Sequence, residues 1–127
     1  MKKNKILVFG ANGLVGKSVV ETLSNSSKVE SVNSSTRKDT DLKNIDEIKK
    51  ILNIKQPDYI INCAAKVGGI YANNTFRAEF LLENLKINLN LFDALKEYPN
   101  INVVNLGSSC IYPLNAPNPI SESSFLE

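Results

Sequence analysis

Four apolar residues, Ile6-Leu7-Val8-Phe9, run straight into Gly10-Ala11-Asn12-Gly13-Leu14-Val15-Gly16, and a helical stripe of Val15, Val19, Val20 and Leu23 follows. A strand that turns through spaced glycines into a helix admits few geometries. The first glycine permits the tight turn, the second lets the backbone approach a ligand, and the third lets helix and strand pack closely. The helix N-terminus then offers free amides and a dipole that favours an anion. The pattern predicts that Gly10, Ala11, Asn12, Gly13, Leu14, Val15 and Gly16 cradle the pyrophosphate of a dinucleotide. A glycine-rich turn that holds nothing is the alternative.

Apolar runs and helical patterns keep alternating. A second strand is expected at Val29 to Val32, and a helix after Asn44, an N-cap with Glu47 three residues on. Ile45, Ile48, Ile51 and Leu52 give that helix an apolar stripe that stops before Pro57. Tyr59 to Cys63 reads as a strand, about Phe76 to Lys96 as a long helix, and Val103 to Leu106 as the last strand. Short apolar strands separated by helices imply an α/β fold, a doubly wound parallel sheet of the Rossmann-like kind covered on both faces. On the long helix Leu81, Asn84, Leu85, Asn88, Phe92 and Leu95 fall near one face, and the two amides interrupt its stripe. Asn84 either meets a cofactor or strand ends, or is satisfied internally. Prolines at 113, 117 and 119 break regular structure, and no strand or helix is read after them. Such a sheet ordinarily continues, so residues 1–127 are read as the amino-terminal part of a dinucleotide-binding domain, truncated after about five strands.

The composition narrows the setting. A net charge of +2 with scattered lysines argues against a nucleic-acid partner. No apolar run approaches the roughly 18 residues of a membrane span, and the stretch after the basic start breaks at Gly10, too early for a signal-peptide core. A cytoplasmic location is the expectation. With no histidine, and only Cys63 and Cys110 as thiols, no metal-ligand spacing is present, and the cysteines are expected to be free.

About 20 residues beyond the glycines, where an acid would bind a ribose 2′-hydroxyl, stands Asn33-Ser34-Ser35-Thr36-Arg37-Lys38. Arg37 and Lys38 favour NADP through its 2′-phosphate, although Asp39 and Asp41 lie near enough to keep NAD open, and a solvated charged loop is the plain alternative. Gly107-Ser108-Ser109-Cys110-Ile111-Tyr112 follows the last strand at the sheet edge where such folds bind ligands. Serines there can polarise a substrate oxygen, or simply form a turn.

Together with the glycine turn, Cys63-Ala64-Ala65-Lys66-Val67-Gly68-Gly69-Ile70, Ala72-Asn73-Asn74-Thr75 and Leu106 to Pro113 resemble the extended short-chain dehydrogenase/reductase family. Within it they resemble the epimerase-reductases acting on the nucleotide sugar GDP-4-keto-6-deoxy-D-mannose, over essentially the whole chain. The resemblance implies NADPH as hydride donor, Ser108 as the serine that hydrogen-bonds the C4 keto oxygen, and Cys110 as an acid/base at C3 and C5. It makes Ser109 a substrate contact, Asp41 and Leu42 an adenine-contacting pair, and Ala64, Ala65, Lys66 and Asn84 cofactor neighbours, with a homodimer through the long helix. The family's Tyr-x-x-x-Lys pair and later histidine are absent, which is expected of residues lying beyond Glu127. The isolated chain is therefore expected to have no reductase activity. Rival readings are another sugar-nucleotide reductase and a dinucleotide sensor that reacts with nothing.

Overall fold

Ile6 to Phe9 offer no polar side chain to water on either side, and they form the centre of β1 (Asn4–Phe9), where Leu7, Val8 and Phe9 are at most 1% exposed. The computed structural model describes residues 3–125. β1 pairs in parallel with β2 (Val29–Ser35) on one side and β3 (Tyr59–Asn62) on the other, and β4 (Asn102–Asn105) lies beyond β3. The order β2-β1-β3-β4 confirms the parallel α/β reading. The described residues hold four strands where about five were expected, because no apolar run follows Leu106 to make another.

Alternation along β1 divides the core. Leu7 and Phe9 join Ile60 in packing against α2 (Ile45–Lys55) and α4 (Arg77–Leu95), through Ile48, Leu52, Leu91 and Ala94. Ile6 and Val8 face the other way, toward Val19, Val20 and Leu23 of α1 (Leu14–Ser24). Helices on both faces explain why β1 is apolar without interruption. Each such side chain, fully buried, contributes about 1.5–3 kcal/mol.

Asn44 caps α2 as expected, its side chain accepting from the Asp46 amide at 3.0 Å. Glu47 departs from the capping box: its carboxylate accepts from the Asp41 amide at 2.7 Å, and so fastens the segment ahead of the helix. β2 is longer than its apolar stretch, reaching Ser35, and a short helix, α3 (Ile70–Thr75), precedes α4.

The expected face of α4 needs correction. Leu91 and Ala94 are buried, and Ile87 and Leu95 pack beside them, whereas Leu81, Leu85 and Phe92 are exposed, as are Leu82 and Leu89. The helix carries leucines nearly all round, so periodicity alone does not say which stripe meets the sheet.

Candidate dinucleotide site

Strand order reverses beside β1: the chain places β2 on one side and crosses back to place β3 on the other. The crevice at the carboxyl ends of two such strands is where open α/β sheets take ligands. A cleft of about 550 Å³ opens there. It is lined by the turn after β1, the segment from Ser35 to Lys43 after β2, Cys63 to Val67 after β3, Leu106 after β4, and Glu83 and Ile87 of α4.

Two glycines make this junction possible. Gly10 has φ +71°, and a Cβ there would stand 2.7 Å from the Ala64 nitrogen and 2.8 Å from the Cys63 carbonyl carbon. The turn thus lies against the loop leaving β3, beside the bond from the Cys63 amide to the Phe9 carbonyl at 3.0 Å. A Cβ on Gly16 would fall 2.1 Å from the Gly10 oxygen, so the first turn of α1 rests directly on the glycine turn. α1 starts at Gly13 with no side-chain cap and no acidic residue in its first turn. α2 shows the contrast, with Asn44 as cap and Asp46 and Glu47 in its first turn. The first amides of α1 are left for an anion from outside, so the residues present fit a pyrophosphate.

The cleft gathers Gly10, Asn12, Gly13, Leu14, Val15, Gly16, Arg37, Asp41, Leu42, Ala64, Ala65 and Lys66. Ala11 is the exception within the fingerprint: it is drawn into the core, and its amide bonds to the Ser35 carbonyl at 3.2 Å. Asn84 does not line the cleft. Its Oδ1 accepts from the Lys66 amide at 2.8 Å, and its Nδ2 donates to the Lys66 and Phe80 carbonyls, both at 3.0 Å. It is an internally satisfied asparagine that shapes the cleft through the Lys66 backbone.

Asp39 is spent within its own turn, its carboxylate accepting from the hydroxyl and then the amide of Thr36, which hold its pKa below the ordinary value. That turn presents Arg37 to the cleft, and Lys38 is not among the lining residues. Asp41 lines the cleft and accepts from the Lys43 amide at 3.0 Å. Sequence reasoning missed Thr36, Thr40, Lys43, Glu83 and Ile87. Of these, Lys43 and Glu83 carried a usable signal, each being a charge adjacent to a residue already singled out, Leu42 and Asn84.

Ser108, Ser109 and Cys110 follow β4 at the same edge but are exposed and outside the cleft lining. Ser108 Oγ accepts from the Cys110 amide at 3.2 Å, capping a single turn of 3₁₀ helix at Ser109–Ile111. Cys63 and Cys110 are free thiols. Cys63 is half-buried and its pKa is raised by that burial, whereas Cys110 is exposed. Alkylation with iodoacetamide at neutral pH is expected to modify Cys110 at least about ten times faster than Cys63; peptide mapping that finds Cys63 modified first would contradict the placement. Among the described residues no group of acids and cysteines is placed to hold a metal ion, and no helix is long and apolar enough to cross a membrane.

A parallel sheet with this switch point, a glycine turn and an uncapped helix start above it defines an NAD(P)-binding α/β domain. The pattern of the NAD dependent epimerase/dehydratase family matches residues 6–126, and the chain belongs to that family. GDP-L-fucose synthase 1 of Arabidopsis thaliana is 41% identical over 125 residues, which are 98% of this chain and 38% of that protein. GDP-L-fucose synthase of Escherichia coli K12 is 35% identical over 127 residues, 39% of its length. A GDP-D-glycero-L-gluco-heptose synthase from Campylobacter jejuni, solved in the presence of NADPH, superposes with a TM-score of 0.86 at 31% identity, over 99% of this chain and 37% of that one. The chain thus spans well under half the length of these relatives.

Proposed function

We propose that residues 1–127 form the amino-terminal, NADP-binding part of an epimerase-reductase that converts GDP-4-keto-6-deoxy-D-mannose to GDP-L-fucose. The observation that carries the cofactor half of this reading is the cleft itself, built over an uncapped helix start and lined by Arg37 in the segment after β2. The identity to GDP-L-fucose synthases across nearly the whole chain supports the substrate half. The turn from Gly10 to Gly16, through the free amides at the start of α1, would hold the pyrophosphate; Arg37 would meet the 2′-phosphate; Asp41 and Leu42 would flank the adenine; Ala64, Ala65 and Lys66 would border the nicotinamide end. The bound cofactor supplies a hydride to the C4 ketone.

The ketone also acidifies the neighbouring C–H bonds, which is why one site can epimerise before it reduces. Ser108 would donate a hydrogen bond to the keto oxygen, Cys110 would move protons at C3 and C5, and Ser109 would contact the sugar. These residues leave the same sheet edge as the cleft, though outside its lining. Their roles, and a homodimer through α4, rest on the resemblance, and a cytoplasmic location rests on the early break of the apolar stretch after the basic start. The likeness to the heptose synthase favours, as a second reading, reduction of a GDP-heptose. The full-length protein is expected to oxidise NADPH and form GDP-L-fucose when given GDP-4-keto-6-deoxy-D-mannose. NADPH oxidation with a GDP-4-keto-heptose and none with that substrate would move the assignment to the second reading.

A further inference from the structure

The cleft wall carries three cations, Arg37, Lys43 and Lys66, and two carboxylates, Asp41 and Glu83. Glu83 projects from α4 between two otherwise separate walls. One carboxylate oxygen pairs with Lys66 Nζ at 2.5 Å, and the other lies 3.8 Å from Lys43 Nζ. Among the described residues Glu83 is the sole carboxylate in an ion pair with either lysine. All three side chains are about 30% exposed, so each pair faces the cleft rather than the core.

The backbones of both lysines are held without Glu83. The Lys66 backbone is held on both sides by Asn84, and its ammonium lies 5.3 Å from the Phe80 ring centroid. The Lys43 amide is fixed by Asp41. What Glu83 adds is a negative charge amid the groups that would meet an anionic ligand. The cations around it, the hydrogen-bonding Lys66 first and then Lys43 and Arg37, hold its carboxyl below the ordinary pKa, so it stays charged at neutral pH.

We propose that Glu83 is a specificity-determining residue of the cleft: a resident counter-charge that occupies Lys43 and Lys66 and competes with the phosphates of the bound dinucleotide. The inference rests on the reading that the cleft takes a dinucleotide. Glu83 then weakens cofactor binding, and weakens it more for a cofactor carrying the extra 2′-phosphate. A pair that merely braced the fold would give the opposite sign on removal, and partly exposed pairs brace weakly.

The test is titration of NADPH and NADH into wild-type chain, E83Q and E83D, at low and high salt. E83Q is expected to bind NADPH roughly five-fold more tightly at low salt, to gain less for NADH, and to lose most of the gain at about 1 M salt. E83D keeps the charge and should stay within about two-fold of wild type. Unchanged or weaker NADPH binding by E83Q, with wild type binding normally, would overturn the role of Glu83 alone. A folded wild-type chain that binds neither cofactor would overturn the cofactor reading and this inference with it.

Discussion

Gly16→Ala is expected to cost about 3 kcal/mol of stability, a large fraction of what a domain of this size has to lose. The new methyl would stand 2.1 Å from the Gly10 oxygen, 2.8 Å from the Gly10 carbonyl carbon and 2.9 Å from the Ala11 Cα. All three are backbone atoms, so no side chain can rotate out of the way. Relief requires α1 to lift off the sheet, and that opens the layer in which Val19, Val20 and Leu23 pack against Ile6 and Val8. The amides of α1 move with it, so the cleft is lost together with the packing. Urea denaturation followed by circular dichroism reads the effect; an unchanged midpoint would mean that helix and turn are not in contact.

Gly13→Asp is expected to do the reverse, leaving the fold intact and abolishing cofactor binding. Gly13 is the N-cap of α1 with φ −73° and ψ 171°, ordinary extended backbone open to any residue. A Cβ there meets the Gly10 oxygen at 3.3 Å, close enough to require a small adjustment and no more. Aspartate is a favoured N-cap, so stability should change by less than about 1 kcal/mol. Its carboxylate, however, would take the free amides of α1 and set a negative charge against the pyrophosphate. Two unit charges about 4 Å apart interact by about 4 kcal/mol at the effective dielectric of a protein surface. The Kd for NADPH should therefore rise roughly 100-fold or more. A Gly13→Asp chain that binds NADPH like wild type would show that the helix start is not the phosphate seat.

The contrast between these glycines marks how far the sequence could be read. Strand, turn and helix around Gly10 to Gly16 are local in the chain, so spacing alone was enough to set out their geometry. The same holds for Asn44 as a cap and for the stripe of Ile45, Ile48, Ile51 and Leu52, all of which pack on the core. Long-range meetings were not legible. Glu83 reaches Lys43 and Lys66 across separate segments of the chain, and its place beside Asn84 marks it as a candidate without announcing either partner. Asn84 had two open readings, and only the position of the loop after β3 decides between them. α3 has no buried residue, so it left no apolar period to detect, and α4 has too many apolar positions for its period to be unique. Ser108 and Cys110 were placed correctly at the sheet edge, but their chemistry came from resemblance, since a capped turn accounts for the hydrogen bond between them.

Titration of NADPH into the wild-type chain, followed by its fluorescence, bears most directly on the claim that this cleft holds the cofactor of an epimerase-reductase. Saturable binding at one site per chain, tighter for NADPH than for NADH and weakened by salt, is the expected result, because Arg37 lines the cleft and offers its guanidinium to a 2′-phosphate. A cooperatively folded chain that shows no saturable binding of either nucleotide would contradict it.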